Sequence, residues 1–130
     1  LLIPETFKQP KSFMIAYDGR ETADKALQQV IDGGLLHGLH CHLVSIKNNE
    51  KDLEEKFINA QHKLLSMGFE VSASFLEGNI FDSLMQYQEQ NNIDLIVMGA
   101  FGHSKLRQFF VGSNTIKMLE NSNVPVVVLK

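Results

Sequence analysis

The hydrophobic positions of this chain keep changing period, alternating between short apolar runs and stripes spaced three and four apart. Phe13, Met14, Ile15, Ala16 and Tyr17 form an unbroken run stopped by Asp18-Gly19, which predicts a strand covered on both faces. Ala23, Ala26, Leu27, Val30, Ile31, Gly34 and Leu35 then fall along one stripe of a helix. A second strand is predicted over residues 42–46. Leu53, Phe57, Ala60, Leu64 and Met67 repeat the helical stripe, and Gly68 after them suits a left-handed helix stop. Phe69, Val71, Ala73 and Phe75 alternate with Glu70, Ser72 and Ser74, the two-residue period of a strand nearer a sheet edge.

Asn79, three places before Asp82, reads as a helix cap, and Ile80, Phe81, Leu84 and Met85 supply the buried stripe behind it. Residues 93–98 form a near-continuous apolar strand, whereas residues 99–112 contain three glycines, have no clean period and read as a loop. A short helix over residues 113–120 would carry Ile116 and Leu119 inward. The last strand, residues 124–129, contains Pro125, which places it at an edge because proline cannot donate to a central ladder. Strands and helices thus alternate from end to end without an internal repeat. Right-handed crossovers turn that order into an α/β fold, an open doubly wound five-stranded parallel sheet with helices on both faces.

Length and charge narrow the picture further. With 130 residues there is room for one ordinary domain, residues 12–130. Residues 1–11, with two prolines and no period, read as a linker or N-terminal extension of the kind found in a tandem chain. A composition of 44% hydrophobic and 21% charged residues is that of a globular protein. Twelve basic against fifteen acidic side chains leave a net charge of −3, so no overall basic field draws the chain to nucleic acid or anionic lipid. Cys41 stands alone and cannot form an internal disulfide, and the apolar stretches are too short to cross a bilayer, so a cytoplasmic address is expected.

In open sheets of this kind ligands sit outside the carboxyl ends of the strands, where strand order reverses. Strand one ends on Tyr17-Asp18-Gly19 and strand four on Met98-Gly99, so the two loops share a crevice if their strands are neighbours. Gly99 and Gly102 are separated by two residues, nine more precede Gly112, and Ser113 follows to open a helix. Glycines there remove the Cβ atoms that would hold backbone N–H groups away from phosphate oxygens. Gly112-Ser113 aims a helix N-terminus at an anion, and the Ser113 hydroxyl adds a hydrogen bond.

Ala16-Tyr17-Asp18-Gly19, the spaced glycines with Gly112-Ser113, and the closing Asn123-Val124-Pro125-Val126-Val127-Val128 together resemble the universal stress protein family over residues 12–130. The resemblance implies strand order 3-2-1-4-5 and membership of the branch whose glycine motif binds ATP. It further implies that Ala16 lines the base pocket, that Asp18 contacts ribose or adenine, and that the backbone of Val44 recognises the adenine edge. Met98 and Gly99 would meet the ribose, while Gly102, Gly112, Ser113 and Asn114 would hold the triphosphate. Magnesium would bridge phosphate oxygens without protein ligands, and ADP or AMP remain alternatives to ATP. His103, Lys105 and Arg107 could reach the same phosphates or form a solvated basic face. Arg20 stands where the family often has a helix-capping Ser, which leaves the cap to Asp18 or Thr22.

Competing readings divide on chemistry. A receiver-like signalling domain needs paired acids after strand one, and only Asp18 is there. His37, His40 and His42 around Cys41 suggest a metal site, but in a strand His40 and His42 share one face and Cys41 points to the other. Cys41 reads instead as a small buried hydrophobe. The loop lacks a carboxylate placed to orient water, which leaves slow ATP hydrolysis at most and no catalytic residue. The expectation is a nucleotide-dependent regulatory module of the stress response, with a nucleotide-independent dimeric scaffold as the alternative. Two-fold pairing, with another copy or a tandem domain, is expected through residues 124–130.

Overall fold

The structure, a computed structural model, describes residues 11–48, 50–99, 122 and 124–129. Its elements are β1 (Ser12–Ala16), α1 (Glu21–Gly33), β2 (His40–Ile46), α2 (Leu53–Ser66), β3 (Glu70–Leu76), α3 (Ile80–Gln90), β4 (Ile96–Gly99) and β5 (Val126–Leu129). The five strands form one parallel sheet in the order β3-β2-β1-β4-β5, so the strand sequence reverses direction between β1 and β4. Both expected edges are edges: the alternating strand β3 at one side, and β5, entered through Pro125, at the other. The expected helix over residues 113–120 lies outside the described residues.

Because successive side chains of a strand point to opposite faces, each strand feeds two cores. On one face Phe13, Ile15, Cys41, Leu43 and Val97 pack under Leu27 and Val30 of α1 and Phe57 and Leu64 of α2. On the other, Met14, Val44, Ile46, Ile96 and Met98 pack under Leu84 of α3, with Ile80, Phe81 and Met85 beside it. Cys41 is fully buried in the first core, as a small hydrophobe.

Several boundaries differ from the sequence expectation, each for a local reason. Gly34 adopts a left-handed conformation (φ 71°) and ends α1, so Leu35 leaves the apolar stripe and is 80% exposed. Met67 caps α2 instead of extending its buried stripe and is 47% exposed, while Gly68 (φ 92°) makes the left-handed stop. The fourth strand begins at Ile96, not Ile93. Ile93 is instead tied to α3, its N–H donating to the Gln88 carbonyl at 3.0 Å and its own carbonyl accepting from Gln88 Nε2 at 3.0 Å. The Asn79 cap forms as expected, Oδ1 accepting from the Asp82 N–H at 3.0 Å.

Candidate functional site

The carboxyl ends of β1, β2 and β4 meet the first two turns of α3 around a slot lined by Ala16, Tyr17, Asp18, Val44, Met98 and Gly99. Those six residues, scattered over more than eighty positions of sequence, were all singled out from the sequence. Register explains the convergence: Ala16 lies between Val44 on one side and Met98 on the other, so three neighbouring strands present one row of side chains. Ile46, Asn48, Ile80 and Leu84 complete the lining. Ile46 and Asn48 continue the two-residue period from Val44, a signal already present in the sequence. The contribution of Ile80 and Leu84 depends on where α3 crosses the sheet and had no local signal. Gly19, predicted with them, is not part of the slot and lines a separate hollow with Arg20, Thr22, Glu50 and Lys56. The other predicted residues, Gly102, His103, Lys105, Arg107, Gly112, Ser113 and Asn114, lie outside the described residues.

Asp18 sits at the rim, where two hydrogen bonds hold its loop. Its Oδ1 accepts from the Arg20 N–H at 2.9 Å, and its carbonyl accepts from Asn48 Nδ2 at 3.2 Å. Asn48 Oδ1 in turn accepts from the Glu50 N–H at 2.7 Å, so Asn48 clamps the loops after β1 and β2 together. Burial pushes the Asp18 carboxyl above its ordinary range, against the opposing pull of the Arg20 N–H. The cap expected from Asp18 or Thr22 takes a different form: Arg20 is the N-cap of α1 and makes no side-chain cap bond. The Asp18 carboxylate engages the N–H of Arg20 itself.

Val44 lines the slot at the end of β2, beside Ala16 in register. Its carbonyl accepts the Tyr17 N–H at 2.8 Å and so already serves the sheet ladder. Tyr17 turns its ring into the core on the α1 side and donates its hydroxyl to Asp24 Oδ1 at 2.5 Å, while Ser45 Oγ donates to the Tyr17 carbonyl at 2.7 Å. Burial first, then the Asp24 hydrogen bond, raises the Tyr17 phenol far above its ordinary value and keeps it neutral. Outside the slot, Glu50 lies 3.3 Å from Arg20 Nε and 3.6 Å from Lys56 Nζ, and Lys56 Nζ also donates to the Gly19 carbonyl at 3.3 Å.

At about 40 Å³ the slot is narrow beside the roughly 300–1,000 Å³ of ordinary small-ligand clefts, so a planar base enters only if side chains at its mouth give way. A larger groove of about 700 Å³ lies on the other face, between α1 and the β4–β5 edge. Among the described residues its lining is mainly apolar, with Val30, Leu95, Val97, Val127 and Leu129, and Gln29 is its polar side chain. Among the described residues no group of three or more His, Cys, Asp or Glu is arranged to hold a metal ion. Among them, too, no helix is long and apolar enough to cross a membrane.

A family model described as the universal stress protein family matches residues 10–130. Universal stress protein Slr1230 of Synechocystis sp. is 32% identical over 132 residues, covering 100% of this chain and 46% of that protein, so the chain spans about half the length of this relative. Universal stress protein MJ0577 of Methanocaldococcus jannaschii is 29% identical over 118 residues, 87% of this chain and 72% of that protein. The solved structure of MJ0577 superposes with a TM-score of 0.80 at 24% identity, covering 92% of this chain and 95% of that one. A universal stress protein in complex with cAMP gives a TM-score of 0.76 at 14% identity, covering 95% and 98%. The Archaeoglobus fulgidus protein in complex with dAMP gives 0.70 at 18%, covering 92% and 97%. At these identities the structural likenesses speak to the fold.

Proposed function

This chain belongs to the universal stress protein family, and we propose that it is an adenine-nucleotide-binding regulatory module whose base enters the slot between β1, β2, β4 and the start of α3. The observation that carries this reading is the meeting of Ala16, Asp18, Val44, Met98 and Gly99 in one slot at the reversal of strand order. Relatives of the same fold in complex with cAMP and dAMP support the ligand class. Apolar side chains from Ala16, Val44, Ile80 and Met98 offer van der Waals contact to a planar ring. The Asp18 carboxylate is an acceptor suited to ribose hydroxyls or an exocyclic amine.

ATP is the proposed ligand, and Mg²⁺ would accompany it to offset the charge of its phosphates. Gly102, Gly112, Ser113 and Asn114 would supply backbone and hydroxyl donors to the phosphates, with His103 and Arg107 as further cations. The role is binding: occupancy stabilises one conformation and thereby biases partner contacts. Ile80, part-buried where its slot neighbours Leu84 and Met98 are buried, is the proposed side chain that yields to the base.

Thermal melting of the protein with Mg-ATP, together with mass spectrometry of the small molecule that co-purifies with it, tests the reading. A midpoint that rises with ligand concentration and an adenine compound in the spectrum are expected. An unchanged midpoint at millimolar ligand, with no adenine compound, leaves only a scaffold. Pairing through residues 124–130 with another copy or a preceding similar domain is the proposed assembly. Sedimentation of a Val127→Lys variant tests it, because a variant that remains dimeric excludes that edge.

A further inference from the structure

We infer that the contact between His42 and Tyr87 is a proton-sensitive latch on α3, through which proton uptake beneath the helix loosens the wall of the slot. On the α3 face of the sheet, β2 carries Val44 and Ile46 at its carboxyl end but His40 and His42 at its start. His42 is only 9% exposed, and its Nδ1 lies 2.9 Å from the Tyr87 hydroxyl. Ser74 Oγ donates to the same hydroxyl at 3.4 Å. In the latched state the Tyr87 O–H donates to Nδ1 of a neutral His42 and its oxygen accepts from Ser74.

A proton on Nδ1 turns this acceptor into a donor, reverses the order of hydrogen bonds, and leaves a charge where water hardly reaches. Among the described residues, the titratable groups facing His42 are His40 on its own strand, with ring centroids 4.7 Å apart, and Tyr87 on α3. Behind His40 stand the Ser72 hydroxyl at 2.7 Å and the Glu70 carboxylate at 3.4 Å. Met14 of β1 and Ser72 of β3 flank His42 in register and carry no charge. Burial first, and then the His40 charge, lowers the His42 imidazole below its ordinary 6.5. The folded state therefore refuses a proton that the unfolded chain accepts. The stability this adds is present above 6.5 and is lost as pH falls through the lowered value.

The latch reaches the slot along one helical stripe. Tyr87, Leu84 and Ile80 stand three and four residues apart on α3, and both Leu84 and Ile80 line the slot. The link to ligand affinity rests on the nucleotide reading above, whereas the loosening of α3 does not.

Two measurements on the full chain separate them. Amide protection factors at Leu84 and Gln88 in ligand-free protein, taken from about pH 7.5 to about pH 5.5, should fall more than at Leu64 of α2, and the difference should vanish in His42→Gln. In Tyr87→Phe, which keeps the imidazole but removes the hydroxyl, protection of α3 should already be low at the upper pH and should change little on acidification. Mg-ATP affinity should weaken by about fivefold over the same interval, the low end of ordinary coupling between sites, and should stay flat in His42→Gln. Protection that falls equally in α2 and α3, or equally with and without His42, overturns the latch. If protection behaves as expected and Mg-ATP binds at no pH, the latch stands and the nucleotide reading falls.

Discussion

Gly99 and Thr22 stand so close that there is no room for a single added carbon: a Cβ on Gly99 would lie 2.6 Å from the Thr22 carbonyl oxygen and 3.0 Å from the Ala23 nitrogen. The end of β4 therefore rests directly on the first turn of α1. The sequence suggested glycine here for close approach to phosphate. The structure adds a packing reason, because the obstructing atoms are backbone and cannot rotate away. Gly99→Ala should lower stability by about 2 kcal/mol or more through overpacking, read as a lower urea midpoint at unchanged slope. Gly33→Ala, a helical position with nothing within 4 Å of the added carbon, should change stability in the opposite direction by about 0.5 kcal/mol. Equal midpoints for Gly99→Ala and the parent would refute the contact.

Asp18→Asn separates stability from binding. Because burial raises the Asp18 carboxyl, the folded state holds its proton to higher pH than the unfolded chain. Stability is then fully present below the ordinary 3.8 and declines as pH rises through the raised value. Asparagine keeps the oxygen that accepts from the Arg20 N–H and removes that decline. The variant should gain on the parent in unfolding experiments as pH rises, while Mg-ATP affinity drops about tenfold for the loss of a charged acceptor. A parallel pH profile for the two proteins would remove the desolvation argument.

Tyr17→Phe deletes one hydroxyl and little volume. The partner, Asp24, is exposed and can be solvated by water, so the loss is the net value of one hydrogen bond, about 1 kcal/mol. Denaturant unfolding measures it directly. A loss several times larger would mean that Asp24 cannot be rehydrated.

Cys41 reports opening of the core. Its thiol is fully buried, and burial pushes it up to about 12, so neither access nor ionisation favours reaction in the folded state. Alkylation at neutral pH should proceed only through opening and should accelerate in parallel with denaturant unfolding. Rapid alkylation of the native protein would place Cys41 at the surface.

Much of the fold could be read from the chain because hydrophobic period is a local property. The order of strands and helices, the alternating edge strand at β3, the Pro125 edge at β5 and the Asn79 cap need only neighbours in sequence to be specified. The site was legible in part for the same reason: Ala16, Tyr17, Asp18, Met98 and Gly99 end strands, and strand ends gather where order reverses.

Tertiary structure decided the rest, wherever the outcome depends on what lies opposite. Periodicity carried the first helical stripe through Leu35, but the left-handed turn at Gly34 put that residue in solvent. It could not tell that the Val44 carbonyl was already bound to Tyr17, since ladder bonds belong to pairs of strands. Nor could it bring Ile80 and Leu84 to the slot, because only the long crossover from β3 to β4 lays the start of α3 over the ends of β1, β2 and β4. The sequence determined which elements form and where strands end. Packing between distant segments determined which atoms at those ends remain free to meet a ligand.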